Sequence, residues 1–340
     1  MRAARWSPSW SPSCWPRARA ACAPPAGAEP MGAAARGRGA ARGPLGLIAG
    51  NGALPRLVAE GCAQAGRDVF VIRPAGVEAP WADALPHLDA PFEKLGRMLG
   101  ALRKAGCVEV CFAGAMTRPR LNPLRFDLTA ARLAARALPL LRKGDDEMLR
   151  GLAALIEAEG FRLVPAHAFT EELLAPEGVL TRAAPDAGDR ADAARAARIA
   201  RALGAVDVGQ GAVVAQGLCL GAETIAGTDA MLAQVAALPS PPRPEGRPLG
   251  VLFKGPKPGQ DRRADLPAIG PDTIRAAHAA GLRGVALEAG GALILDRAAT
   301  VAEADRLGLF IWGRAPEAAP QAEGAPQAEG APHDDAAGQA

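Results

Sequence analysis

Short apolar runs alternate with helical stretches along most of this chain. Leu45 to Ala49 (LGLIA) is the first such run, and it enters a glycine turn, Gly50-Asn51-Gly52. Pro55 stands where a helix starts, and a helical stretch follows to about Gly66. Val69 to Ile72 predicts the next strand, Phe92 to Ala105 a helix, and Val108 to Phe112 (VEVCF) a third strand. This β-α-β-α-β order predicts a Rossmann-like domain over residues 44–175, with a parallel sheet and helices on both faces. A helix over Asp145 to Glu159 leads to Leu163-Val164 within it.

The stretch 176–191 is rich in Pro, Gly, Asp and Ala and reads as a linker. Over 192–313 come a helix from Ala193 to Leu203, an apolar run from Gly211 to Leu220 and a helix opening near Thr228. Strands are predicted at Gly250 to Phe253, Gly284 to Leu287, Ala292 to Leu295 and Leu309 to Trp312. The fold class is therefore α/β, with two α/β domains.

The ends break the pattern. Residues 1–43 are rich in Ala, Arg, Pro, Ser and Trp and lack the apolar centre of a secretory signal. They predict a disordered leader or a misassigned start, with Met31 the candidate start. In residues 314–340 the hexapeptide APQAEG occurs twice in tandem, at 319–324 and 325–330. Such a low-complexity tail cannot offset its ordering entropy, and disorder is expected.

Composition narrows the picture. The 340 residues suit two domains. Tyrosine is absent and aromatics make up 4%, so the core must rest on Leu, Val, Ile and Ala. The net charge of +3 is misleading, because residues 1–43 carry seven arginines and one acid (Glu29) and leave −3 to the remainder. No basic face and no nucleic-acid partner is implied by that remainder. The six cysteines form no CxxC pair and no Cys/His cluster, as in a reduced cytoplasmic protein, and Cys107 and Cys111 read as buried thiols. No apolar run reaches the length of about 18 residues that a membrane helix needs.

Four segments carry candidate chemistry. Lys254 to Gly270 (KGPKPGQDRRADLPAIG) follows an apolar run, and Pro256, Pro258 and Pro267 keep it from forming a long helix. A polar, fixed loop at a strand end is where α/β proteins place ligand chemistry. Lys254 and Lys257 can reach one anion, with Gln260 between them and the carboxylates. Asp261 and Asp265 are spaced to share a cation. Surface ion pairing is the competing explanation, and prolines crowding opposite charges beside a strand weigh against it. The turn Gly50-Asn51-Gly52 before a helix offers backbone amides to an anion, though it is not GxGxxG, and a tight turn without ligand is as good an account. Lys143-Gly144-Asp145-Asp146, preceded by Arg142, reads from spacing as ordinary capping by Asp145 or Asp146. Gln210, Glu223, Thr228 and Asp229 recur around one glycine-bounded run, with capping by Thr228 or Asp229 as the simpler role. His87, His167, His278 and His333 show no metal-ligand spacing.

Taken in order, these segments resemble one family, the UDP-2,3-diacylglucosamine pyrophosphatases of the LpxI type. The resemblance rests on LGLIAGNGALP (45–55), KGDD (143–146), DVGQGAVVAQGL (207–218), GTDAM (227–231), KGPKPGQDRRADLPAIGPDT (254–273), EAGGALILDR (288–297) and ADRLGLFIWG (304–313). Ala226 stands where the family is expected to have Glu, and Gly255 where it usually has Ala. The resemblance implies two α/β domains with the substrate cleft between them. It implies Mg2+-dependent hydrolysis of UDP-2,3-diacylglucosamine to UMP and 2,3-diacylglucosamine 1-phosphate (lipid X), at the cytoplasmic side of the inner membrane. Water attack falls at the sugar-side phosphorus. Asp265 is then the first choice for metal ligand or water orientation, with Asp229 and Glu223 behind it and Glu223 also a metal candidate. Lys254 and Lys257 hold the phosphates, and Asp261 is a further catalytic candidate. Gly50, Asn51, Gly52, Lys143, Asp145, Asp146, Gln210, Gln260 and Thr228 are substrate-side candidates. Two other readings compete: a nucleotide-binding oxidoreductase, and a non-catalytic protein that binds a phospholipid precursor. Acyl-chain length and oligomeric state are not legible.

Overall fold

The computed structural model describes residues 43–116, 121–140, 143–238 and 250–316. Most of the predicted leader and tail, with Arg142, lies outside the described residues.

The first sheet is built from β1 (Leu45–Ala49), β2 (Val69–Pro74), β3 (His87–Ala90), β4 (Glu109–Ala113) and β5 (Arg162–Leu163). All its pairs are parallel, in the order β3-β2-β1-β4-β5. Alternation along β1 splits the core in two. Leu45, Leu47 and Ala49 pack with Val58 and Cys62 of α1 (Leu54–Gln64). Ile48 faces Leu99 and Leu102 of α2 (Leu95–Lys104) and Ile156 of α4 (Asp145–Ala158). Gly46 shares that second face because a Cβ there would fall 2.7 Å from Leu102 Cδ2. An unforeseen helix, α3 (Leu128–Leu140), precedes α4. Strand order reverses between β1 and β4, and in such sheets the crevice outside the carboxyl ends at this switch point is where ligands bind. The N-termini of α1 and α4 lie at this same edge, because each helix returns the chain across the sheet.

The second sheet runs β6-β13-β11-β9-β7-β8, with β6 at Gly178–Val179, while β10 (Ala268–Ile269) and β12 (Leu293–Ile294) pair in a small parallel sheet of their own. Its parallel centre is β9 (Val251–Lys254), β11 (Gly284–Glu288) and β13 (Phe310–Arg314). The run from Gly211 to Leu220 folds as a hairpin of β7 (Gly211–Ala215) and β8 (Leu218–Ala222). Gln216 and Gly217 make the turn with positive φ, and the Asp192 carboxylate accepts both of their N–H groups at 2.8 Å. On one face, α6 (Gly227–Ala237), α7 (Pro271–Ala279) and α8 (Arg297–Leu307) cover Val213, Leu252, Val285 and Ile311. On the other, α5 (Ala187–Ala205) packs Ala193, Ala196, Ala197 and Ala200 against Val214, Val251 and Phe253. Small side chains let this helix lie close to the sheet.

The expected linker 176–191 is instead part of the fold. Gly178–Val179 is β6, paired antiparallel with β13, and α5 begins at Ala187 under a capping box from Asp186. Pro, Gly and Asp mark strand ends and caps as readily as linkers.

Cys62, Cys107 and Cys111 are buried free thiols, and burial pushes the Cys62 and Cys107 thiols up to about 11. Among the described residues no helix is long and apolar enough to cross a membrane. Net charge also hid a local segregation. Arg190, Arg195 and Arg198 of α5 are exposed while its Asp189 and Asp192 are buried.

Candidate active site

Lys254 ends β9, flanked across the ladder by Gly211 of β7 and Leu287 of β11. It is 4% exposed. Its Nζ donates to Thr228 Oγ1 at 2.6 Å and lies 3.5 Å from Glu223 Oε1. Thr228 in turn donates to the same Glu223 oxygen at 2.6 Å. Glu223 is 6% exposed, and its Oε2 is buried with no hydrogen-bond partner. Thr228 is thus a link in a buried polar chain, more than the simple cap its position suggested. Gln210 precedes β7, its backbone carbonyl accepting from Gly255 N–H at 3.1 Å and its Oε1 buried without a partner. At Gly255 a Cβ would fall 2.9 Å from the Phe253 ring, so the ring packs into the space that a side chain there would fill.

Beyond Gly255 the loop crosses to the first domain. Lys257 pairs with Asp207, in the turn between α5 and β7. Gln260 fixes the loop internally: its Oε1 accepts Lys257 N–H at 2.9 Å, and its Nε2 donates to Asp265 Oδ2 at 3.0 Å. Ala264 packs on the Ile48–Ile156 core of the first domain. Leu266 joins Leu173 and Leu293, against Leu54 and Leu57 of α1. The Lys254–Gly270 segment is therefore clamped between the domains.

Asp265 is half-buried, and burial pushes its carboxyl above the usual range; Lys257 and Lys254 oppose the shift and Asp146 adds to it. Asp261 is engaged by an arginine of its own loop. Both its oxygens accept from Arg263, at 3.0 and 2.8 Å, which holds its carboxyl below the usual range. Arg263 also reaches Glu157 of α4 at 2.7 Å. An aspartate two residues before an arginine finds that partner first.

The KGDD stretch is not a self-capping turn. Gly144 is the N-cap of α4 and makes no side-chain cap bond. Instead Asp207 Oδ2 accepts Asp146 N–H at 3.3 Å from the other domain. Asp146 is 7% exposed and pairs with Arg150 at 3.1 Å. Burial pushes its carboxyl up, as does Asp207, against Arg150. Arg150 donates to Gly259 O at 3.3 Å as well. Asp145 lies in the same first turn, and Lys143 is exposed and pairs with Glu147.

In the glycine turn, Asn51 pairs with Ala115 across the β1–β4 crevice, and its Oδ1 accepts Glu78 N–H at 3.1 Å. Gly50 must lack a Cβ, which would lie 2.6 Å from Ala115 O, and Gly52 has φ 94°. Helix α1 opens without a side-chain cap, so this turn keeps the backbone character of an anion site. Asp229 is exposed in the first turn of α6, and the structure joins it to none of the side chains above. Sequence reasoning gave no role to Asp207, Arg150 or Arg263. Each has a distant partner, 50 to 109 positions away, that no local pattern signals.

Residues 44–173 match the family model described as the LpxI N-terminal domain, and residues 176–312 match the LpxI C-terminal domain. The chain is 44% identical over 277 residues to the UDP-2,3-diacylglucosamine pyrophosphatase LpxI of Caulobacter vibrioides, covering 81% of this chain and 99% of that protein.

Proposed function

The chain belongs to the LpxI family, and we infer that it hydrolyses the diphosphate bridge of UDP-2,3-diacylglucosamine in lipid A biosynthesis. The products are UMP and 2,3-diacylglucosamine 1-phosphate. The observation that carries this is the clamped loop, which presents Lys254, Lys257 and Asp265 beside the contact with α4.

Diphosphate cleavage needs neutralised phosphate charge, an oriented water and a stabilised leaving group. Lys254 and Lys257 supply positive charge from rigid positions. Asp265, its rotamer fixed by Gln260, orients the water toward the sugar-side phosphorus. The Gly50–Gly52 turn and the uncapped start of α1 face the uridylate half.

Magnesium dependence is part of the proposal. This ion takes one or two carboxylates and completes its shell with phosphate oxygens and water. Asp265 suits it, with Asp146 near enough for its charge to raise the Asp265 carboxyl, a repulsion that a cation would relieve. Glu223, with its unpartnered Oε2, is the alternative donor, although Lys254 and Thr228 already hold its other oxygen. Bound there, the ion would neutralise the diphosphate. The acylated substrate places the enzyme at a membrane surface, and the exposed arginines of α5 suit an anionic phospholipid headgroup layer.

The test is UMP release from UDP-2,3-diacylglucosamine with magnesium and with EDTA. Hydrolysis in oxygen-18 water should place the label in the sugar phosphate. Label in UMP would move the attack to the other phosphorus, and no UMP at all would overturn the assignment.

A further inference from the structure

One carboxylate spans the contact between the domains. Asp207 holds a left-handed backbone at φ 56°, which aspartate tolerates better than most residues. Its Oδ1 pairs with the Lys257 ammonium, on the loop after β9. Its Oδ2 accepts Asp146 N–H, in the first turn of α4. Gly144 makes room for this approach, since a Cβ there would fall 1.7 Å from Asp207 Oδ2. The Lys257 side chain is 10% exposed. Its other negative neighbours are Asp146 and Asp265, both of which feel its charge.

We propose that Asp207 is a positioning residue that aims the Lys257 ammonium and makes that aim depend on α4 being docked against the loop. The proposal rests on the reaction assigned above. A lysine ammonium is a point charge on a flexible stem, and it does not hold a direction by itself. With Asp207 in place, the ammonium is fixed before substrate arrives, and less reorganisation remains for the transition state. Without it, Lys257 turns toward Asp265 or Asp146 and neutralises a carboxylate the reaction uses. The Lys257 backbone is tied to Asp265 through Gln260, so a misplaced lysine also disturbs the water-orienting group.

The experiment is a double-variant cycle in the full chain. Asp207→Asn keeps an acceptor for Asp146 N–H and tolerates the left-handed backbone, but cannot pair with Lys257. It should melt close to the unmutated protein while kcat/KM falls at least about tenfold, mostly through kcat. In a Lys257→Gln background, adding Asp207→Asn should change kcat/KM by less than about twofold. Asp207→Ala, which loses both contacts, should also melt lower. Unchanged kcat in Asp207→Asn would overturn the role, as would losses that multiply in the double variant. Absence of UMP release from the unmutated chain would overturn the reaction itself, whereas full-rate turnover by Asp207→Asn overturns only the part given to Asp207.

Discussion

Gln260 donates its side-chain amide to Asp265 Oδ2 at 3.0 Å while its own carbonyl is held by the backbone N–H of Lys257 at 2.9 Å. A neutral side chain thus sets the distance between the loop's second lysine and its functional aspartate. Gln260→Ala removes both bonds without altering any charge. Turnover should fall by about tenfold to a hundredfold, because Asp265 becomes free to rotate. Steady-state kinetics beside a melting curve will check this, and an unaffected kcat would remove Gln260 from the site.

Asp265→Asn should abolish UMP release and leave the fold intact. It should also raise the melting temperature at neutral pH. The Asp265 carboxyl is raised in the folded state by burial. Its ionised form therefore costs stability above that raised pKa, and the cost vanishes below the ordinary carboxylate pKa. The gain from asparagine should grow as pH rises from the ordinary carboxylate pKa toward the raised one, and fade as pH falls through that window. Melting curves across pH will show it, and a variant less stable at pH 7 would contradict the sign.

Gly144→Ala tests the contact between the domains. The new Cβ cannot coexist with Asp207 Oδ2 at 1.7 Å, so Asp207 or α4 must shift. Gly144 itself has φ −60°, so backbone strain is not the cause. A loss of about 1–3 kcal/mol is expected from such a clash. Urea denaturation gives the number, and a neutral variant would show that the contact is loose.

Lys254→Met should destabilise by about 3–5 kcal/mol, because it leaves Glu223 buried without its cation. Adding Glu223→Gln should recover most of the stability and none of the turnover. Recovery of turnover in the double variant would deny Lys254 a part in the reaction.

Much of the fold was legible locally. LGLIA, VFVI and VLF form strands because apolar residues fill the space between turn residues, as in strands buried on both faces, whereas in VEVCF the exposed Val108 falls before β4 and the buried Glu109 is held by Arg67 and Arg162. The glycine turn and Pro55 located α1. The hairpin at Gln216-Gly217 escaped notice because the residues on both sides of that short turn are apolar and read as one run, and Asp192, 24 and 25 positions away, supplies the bonds that shape it. The charged residues were harder. Asp261 and Asp265 look equivalent in sequence, yet Arg263 holds one and Gln260 the other.

The sequence by itself determined the α/β alternation, the proline-stiffened loop and the identity of the charges it carries, since periodicity and backbone restriction act over a few residues. Only the tertiary structure decided which charges meet. Asp207 reaches Lys257 across 50 positions and Asp146 across 61. Coulomb attraction and desolvation depend on distance through space and on burial, and both are set when the two domains close over the loop.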